Sequence, residues 1–299
     1  MIKAPGPPSL HPMPPSLVVT HCGSGSGPDL ADGAERAGRA ALAILERGGR
    51  AIDAVTEAIV ILEDDPRTNA GTGSRLRLDG RAQMDASIMT DDLEAGAVGA
   101  IEDVKNPILV ARKVMDTPHV LLVGRDSTKF ARKAGFRYYD PITPESRERW
   151  RDSIRRIKTG DLPAYAEKWR NFGGVTGTVG AVARDSSGGL CAGSSTGGTA
   201  FMMAGRVGDT PILGSGIYCG PEAAVSATGV GEEIVKRVLS KAVYDRIAAG
   251  KRPQAACEEA LKAFRKTVPV GVIAVGADGA GEACNREMSW WTNAPPRAR

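Results

Sequence analysis

The period of apolar and polar positions changes several times along the chain. Leu17-Val18-Val19-Thr20 is a short apolar run that predicts a buried strand, ended by the turn-rich His21-Cys22-Gly23-Ser24-Gly25. An alanine-rich helix is predicted from about Leu30 to Arg47, stopped by Gly48-Gly49. The next, from about Ala51 to Glu63, puts Ile52, Val55, Ile59 and Leu62 on one face. Arg75 to Met89 reads as two short strands around the Asp79-Gly80 hairpin signal. Asn106-Pro107 opens another helix, with asparagine as N-cap and proline at N1. Val120 to Gly124 has the composition of a central strand.

From Pro141 to Phe172 the strand pattern disappears and charge dominates. Order resumes with a hairpin of Thr178 to Arg184 and Leu190 to Ser195, across Asp185-Ser186-Ser187-Gly188-Gly189. Pro211 to Gly216 predicts a further strand. A helix from Gly231 is expected to bury Ile234, Val235, Val238, Leu239, Val243 and Ile247. Another, near Gln254 to Arg265, precedes a strand over Val268 to Val275. Helices and strands come in blocks more than in alternation, which favours layered sheets between helices over a doubly wound fold.

Composition narrows the class. The 299 residues, 42% hydrophobic and 25% charged, suit a soluble globular protein, and 37 glycines argue for many tight turns. The net charge of +4 decides little. Between Glu145 and Arg170, eight basic residues are interleaved with five acidic ones, which fits a solvated helix or a mobile linker better than a nucleic-acid surface. Five scattered cysteines without CxxC spacing suggest free thiols in a reducing compartment. The three histidines have no zinc-site spacing. The proline-rich N-terminus lacks the apolar run of a signal peptide, and no stretch is long enough to span a membrane. A cytoplasmic enzyme is the expectation.

Four glycine-flanked polar clusters carry the candidate chemistry. They are Gly177-Thr178-Val179-Gly180, Ser194-Ser195-Thr196-Gly197-Gly198, Gly205-Arg206-Val207-Gly208-Asp209 and Ser226-Ala227-Thr228-Gly229-Val230-Gly231-Glu232. A free threonine hydroxyl is a poor nucleophile. If Thr178 becomes the first residue of its chain, its α-amine, with a pKa of about 7.7–8.0, can serve as the adjacent base. That requires cleavage after Gly177, where a missing Cβ lets the hydroxyl approach the carbonyl. Alone, Thr178 would be read as a β-branched strand opener, and Arg206–Asp209 as a surface ion pair.

In concert, the four clusters resemble the plant-type L-asparaginase/isoaspartyl peptidase family of N-terminal nucleophile hydrolases, in that family's order and spacing. Asp53-Ala54-Val55, Asn69-Ala70-Gly71, Met84-Asp85-Ala86-Ser87-Ile88 and Lys105-Asn106-Pro107 extend the likeness over most of residues 17–290. The resemblance implies a four-layer αββα sandwich, an N-terminal portion 1–177 with a mobile linker at about 141–177, and a second portion 178–299. Thr178 would be both the self-cleavage residue and the nucleophile, and Thr196 would tune its hydroxyl. Arg206 would hold the substrate α-carboxylate and Asp209 the α-ammonium, while Thr228 and Gly229 would form the oxyanion hole. Gly231 and Asn69 would complete the substrate's surroundings. The loop from Leu62 to Gly73 resembles a backbone-carbonyl sodium site, and no other cofactor is implied.

Two positions depart from the family pattern: His21-Cys22-Gly23 stands where His-Gly-Gly is common, and Thr176-Gly177 precedes the nucleophile where His-Asp is frequent. They bear on cleavage rate and substrate preference more than on reaction class. Expected substrates are L-asparagine and β-aspartyl dipeptides, and the expected assembly is a dimer of αβ units, with no nucleic acid or membrane partner. The alternatives are a glycosylasparaginase and an uncleaved binding homologue.

Overall fold

The computed structural model describes residues 15–160, 177–200 and 202–295. Two sheets lie face to face between helices. The first has seven strands in the order β11-β1-β5-β6-β2-β3-β4, the second four in the order β10-β9-β8-β7. The strands are β1 (Leu17–Ser24), β2 (Met84–Thr90), β3 (Ala95–Ile101), β4 (Leu121–Val123), β5 (Thr178–Arg184), β6 (Leu190–Thr196), β7 (Ile217–Gly220), β8 (Ala223–Gly229), β9 (Val270–Gly276), β10 (Gly279–Cys284) and β11 (Met288–Thr292). The helices are α1 (Ala31–Glu46), α2 (Ala51–Asp64), α3 (Pro107–Val114), α4 (Gly124–Lys133), α5 (Pro144–Thr159), α6 (Gly231–Arg237), α7 (Leu239–Ala248) and α8 (Pro253–Leu261).

Three apolar layers hold these elements together. Helices α1, α2 and α3 cover one face of the large sheet through Ala37, Ala41, Val55, Ile59 and Leu62 against Val179, Ala181 and Ile88. Val19, Val182, Ile217 and Ile273 fill the space between the sheets. Val243, Ile247, Ala256 and Phe264 seal the outer face of the small sheet. This is the expected αββα layering. Strands enclosed on both faces need not alternate apolar with polar, and β5, β6, β8 and β9 are buried along their whole length.

Several local expectations need correcting. β1 continues through His21, Cys22 and Gly23 to Ser24, because His21 pairs with β5 and, across a bulge, His21 and Ser24 pair with β11. Val120 to Gly124 yields only the short, largely exposed edge strand β4, parallel to β3. The hairpin at Asp79-Gly80 reduces to a single bridge, Leu76 to Ala82. Pro211 to Gly216 is a turn, and β7 begins just after it. The helix expected from Gly231 is two helices, broken at Val238 with φ +49°, which turns Val238 to solvent. Asn106 stands at the N-cap of α3 but its side chain bonds Asp64, and the Ile108 N–H is taken by the Glu63 carboxylate.

The charged segment expected to be a mobile linker begins with an ordered helix. α5 opens on a reciprocal cap between Thr143 and Ser146 and closes at Gly160, whose φ is +72°. Arg149 donates to the Gly73 carbonyl at 3.0 Å and the Trp150 indole to Leu78 at 3.4 Å, so the helix is docked on the loop that carries Asn69. Residues 161–176, the rest of that expectation, lie outside the described residues.

Candidate active site

β5 and β6 are adjacent antiparallel strands, and their register places Thr178 opposite Thr196 at the end of the ladder. Successive side chains alternate between faces, so Val179 and Ala181 point into the helix layer, and Thr178 points the other way. Both threonines therefore share the inter-sheet face. The Thr178 hydroxyl donates to Thr196 Oγ1 at 3.3 Å, and Thr196 donates on to the Gly177 carbonyl at 3.1 Å. The Gly198 N–H donates to Thr196 Oγ1 at 2.9 Å. The acceptor of this chain is the carbonyl that precedes Thr178 itself.

Asn69 braces the turn after β6. Its side-chain amide donates to the Gly198 carbonyl at 2.5 Å, its own carbonyl accepts from Gly197 N–H at 2.7 Å, and its Oδ1 accepts from Arg75 N–H at 2.9 Å. Asn69 thus bonds the turn whose Gly198 N–H supports Thr196. Behind it, Glu63 accepts from Ser195 Oγ at 2.6 Å, tying the end of α2 to the strand residue before Thr196. Burial pushes the Glu63 carboxyl up to about 8, with the Ser195 hydroxyl opposing. Burial also pushes the His21 imidazole, beside Gly180 on β1, down to about 3, so it is neutral.

The third element comes from the small sheet. Thr228 and Gly229 end β8, and Gly229 sits at φ +143°, a conformation that only glycine enters without strain. Thr228 is not the N-cap of α6; that position is Val230. Instead Thr228 Oγ1 accepts from the Ser24 N–H at 3.0 Å, which leaves its own proton free to donate elsewhere. Gly23, next to Ser24, has φ +107°, and a Cβ there would stand 2.9 Å from the Thr178 nitrogen. The departure at Cys22 therefore spares the position where close approach demands glycine.

The charged residues gather at one side. Arg206 pairs with Glu232, with Nε and Nη2 each 2.9 Å from the same oxygen, and not with Asp209. Asp209 is buried, and its Oδ2 has no hydrogen-bond partner among the described residues. Burial pushes its carboxyl up to about 7, against the pull of the Arg206 charge. Gly231 lies between the two: an added Cβ would be 2.6 Å from Asp209 Oδ1 and 2.8 Å from Arg206 Nη2. Asp85, opposite Thr196 on β2, accepts from Ala100 and Gly208 N–H groups at 2.8 and 3.3 Å. Sequence reasoning gave Asp85, Ser24 and Glu63 no role. Asp85 lies inside a recognised motif, but Ser24 and Glu63 become visible only through contacts distant in sequence.

The loop from Leu62 to Gly73 uses its carbonyls internally. Thr68 Oγ1 donates to Leu62 and Asp65, and Thr72 N–H to Glu63. Their lone pairs are partly committed, and the loop keeps its shape through its own donors. Among the described residues no cluster of three or more His, Cys, Asp or Glu side chains is placed to hold a metal ion.

A family model described as Asparaginase matches residues 21–295. The chain belongs to the asparaginase family. It is 44% identical over 282 residues to a plant-type L-asparaginase of Pyrococcus abyssi, covering 88% of this chain and 90% of that one. It is 38% identical over 289 residues to the isoaspartyl peptidase/L-asparaginase of Danio rerio, covering 92% and 91%. An N(4)-(beta-N-acetylglucosaminyl)-L-asparaginase of Elizabethkingia miricola is 38% identical over 228 residues, covering 75% of this chain and 65% of that one. No helix among the described residues of this asparaginase-family chain is long and apolar enough to cross a membrane.

Proposed function

We propose that this protein is a self-cleaving amidohydrolase that releases aspartate from L-asparagine and from β-aspartyl dipeptides, with Thr178 as nucleophile. The observation that carries the reading is the hydroxyl chain from Thr178 through Thr196 to the Gly177 carbonyl. In self-cleavage, Thr178 Oγ adds to the Gly177 carbonyl carbon while the Thr196 hydroxyl stabilises its oxygen. The C–N bond breaks, an ester joins Gly177 to Thr178 Oγ, and the proton given up by the Thr178 hydroxyl ends on the departing nitrogen, which becomes the free α-amine of Thr178. Water then hydrolyses the ester. The chain ends at Gly177, and Thr178 begins a new one.

The new α-amine acts as the base in turnover. It takes the Thr178 hydroxyl proton as Oγ adds to the side-chain carbonyl of the substrate, then passes it to the departing amine. The resulting β-aspartyl ester is hydrolysed by water to aspartate, and the hydroxyl is restored. The free proton of Thr228 and the Gly229 N–H serve the developing oxyanion. Arg206 holds the α-carboxylate through its planar fork, and Asp209 receives the α-ammonium. Gly231 leaves room for both. An ammonium at Asp209 supplies the partner that its buried carboxyl lacks.

The mature enzyme assembles as a dimer of αβ units and acts in the cytoplasm in this reading. The direct test incubates purified protein with L-asparagine, a β-aspartyl dipeptide and N4-(N-acetylglucosaminyl)-asparagine, and follows aspartate release and chain length. Two chains with turnover of the first two substrates support it. Turnover of the glycosylated substrate alone would assign the glycosylasparaginase activity, and one uncleaved inactive chain would assign a binding protein.

A further inference from the structure

Met202 presents its sulfur to three N–H donors at once. Thr199 N–H approaches Sδ at 3.0 Å, Arg206 Nη1 lies 3.8 Å away, and Arg77 Nη1 is in direct contact. A thioether is a weak acceptor, whereas two guanidinium arms and a backbone N–H are donors suited to a carboxylate. Arg77 is fully buried, at 0% exposure, yet it is poorly used: Nη2 donates to the Gln83 carbonyl at 2.8 Å and Nε has no partner among the described residues. Asp85, the acid whose charge acts on it most, spends its oxygens on the Ala100 and Gly208 N–H groups. Both arginines thus offer donors to a position that only a sulfur fills.

The place of this nest in the site gives its use. An added Cβ on Gly198 would stand 2.9 Å from Arg77 Nη1, and the Gly198 N–H bonds Thr196 Oγ1. The nest therefore borders the turn beside the nucleophile. It meets Arg206 through Nη1, while Glu232 is held through Nε and Nη2, and Gly231 and Asp209 adjoin Nη2. Met202 lies in the irregular stretch between β6 and β7, and its unbranched side chain can rotate away without breaking a strand ladder.

We propose that the nest of Arg77, the Thr199 N–H and Arg206 Nη1 is a second carboxylate subsite, which takes the C-terminal carboxylate of the departing residue of a β-aspartyl dipeptide as Met202 swings out. Asparagine carries no such group, so the subsite favours peptides over the free amino acid. The inference rests on the amidohydrolase reading.

The test compares a β-aspartyl dipeptide with the same dipeptide amidated at its C-terminus, in wild type, Arg77→Gln and Met202→Ala. Wild type is expected to favour the free acid in kcat/KM. Arg77→Gln should cut that ratio by about tenfold or more, chiefly through KM, while self-cleavage into two chains reports that the variant folds. Met202→Ala vacates the nest and should raise the ratio by about threefold. An equal loss on both peptides would make Arg77 a packing residue, and an unchanged ratio would remove the subsite. If Arg77→Gln does not fold, Met202→Ala decides, and an unchanged ratio there overturns the proposal. Failure to turn over any amide would overturn the amidohydrolase reading alone, since calorimetric binding of the two peptides then reads the same ratio.

Discussion

At the hydroxyl end of the site, Thr178, Thr196 and the Gly177 carbonyl already form a continuous chain of hydrogen bonds; at the charged end, Arg206 is paired with Glu232 and Asp209 keeps an oxygen with no partner among the described residues. The first set sits on two adjacent central strands, where sheet register alone fixes the spacing. The second comes largely from the irregular stretch between β6 and β7, where no ladder sets geometry. The contrast separates chemistry from recognition. Under the proposed mechanism the reacting groups are held before substrate arrives, as electrostatic preorganisation requires. Under the same proposal the recognition groups are completed by the substrate, whose ammonium pairs with the Asp209 carboxylate.

Removing the nucleophile should have the largest effect. Thr178→Ala is expected to stay one uncleaved chain and to lose activity by on the order of 10³-fold or more, because cleavage and turnover share one hydroxyl. Two fragments in that variant, seen by intact mass, would break the preformed end of the comparison.

Asp209→Asn probes the incomplete end and should split activity from stability. The kcat/KM for asparagine should fall on the order of 10²-fold, since the ammonium loses its buried carboxylate. Stability should move the other way. A carboxyl raised to about 7 in the folded protein binds more protons folded than unfolded, from its ordinary range near 4 up to about 7, so it costs stability as pH rises through that window. His21, depressed to about 3, contributes the opposite slope up to its ordinary value, and Glu63, raised to about 8, adds to the Asp209 slope, so the absolute melting curve mixes these groups. The difference between variant and wild type isolates Asp209. The variant's melting temperature should gain on the wild type between pH 4 and pH 7, and a constant difference would show that the carboxyl is already satisfied.

A smaller effect is expected from Arg206→Lys, which keeps the charge and loses the fork. KM for asparagine should rise about tenfold while self-cleavage proceeds. Unchanged kinetics would make Arg206 a partner of Glu232 only.

The two ends were also unequally legible in the sequence. Thr178, Thr196 and the β5–β6 hairpin could be read because strand pattern, glycine turn and motif spacing coincide there. The opposition of the two threonines then follows from pairing. At the charged end the residues were readable but their partners were not. Arg206 and Asp209 lie three residues apart, yet Arg206 turns to Glu232 from the start of α6. β8 and β10 were missed because strands rich in small residues carry neither clear alternation nor an apolar run; β8 is nonetheless buried along its length, while β10 is a half-buried edge strand. Helix α5 had its cap written in Thr143-Pro144-Glu145-Ser146, but a nearly unbroken charged surface hid its period.

Intact mass with N-terminal sequencing of the purified wild-type protein shows whether Thr178 becomes the first residue of its own chain. Two chains are expected, the second beginning Thr178-Val179-Gly180-Ala181. A single chain that nonetheless hydrolyses asparagine, or cleavage at any other bond, would contradict that expectation.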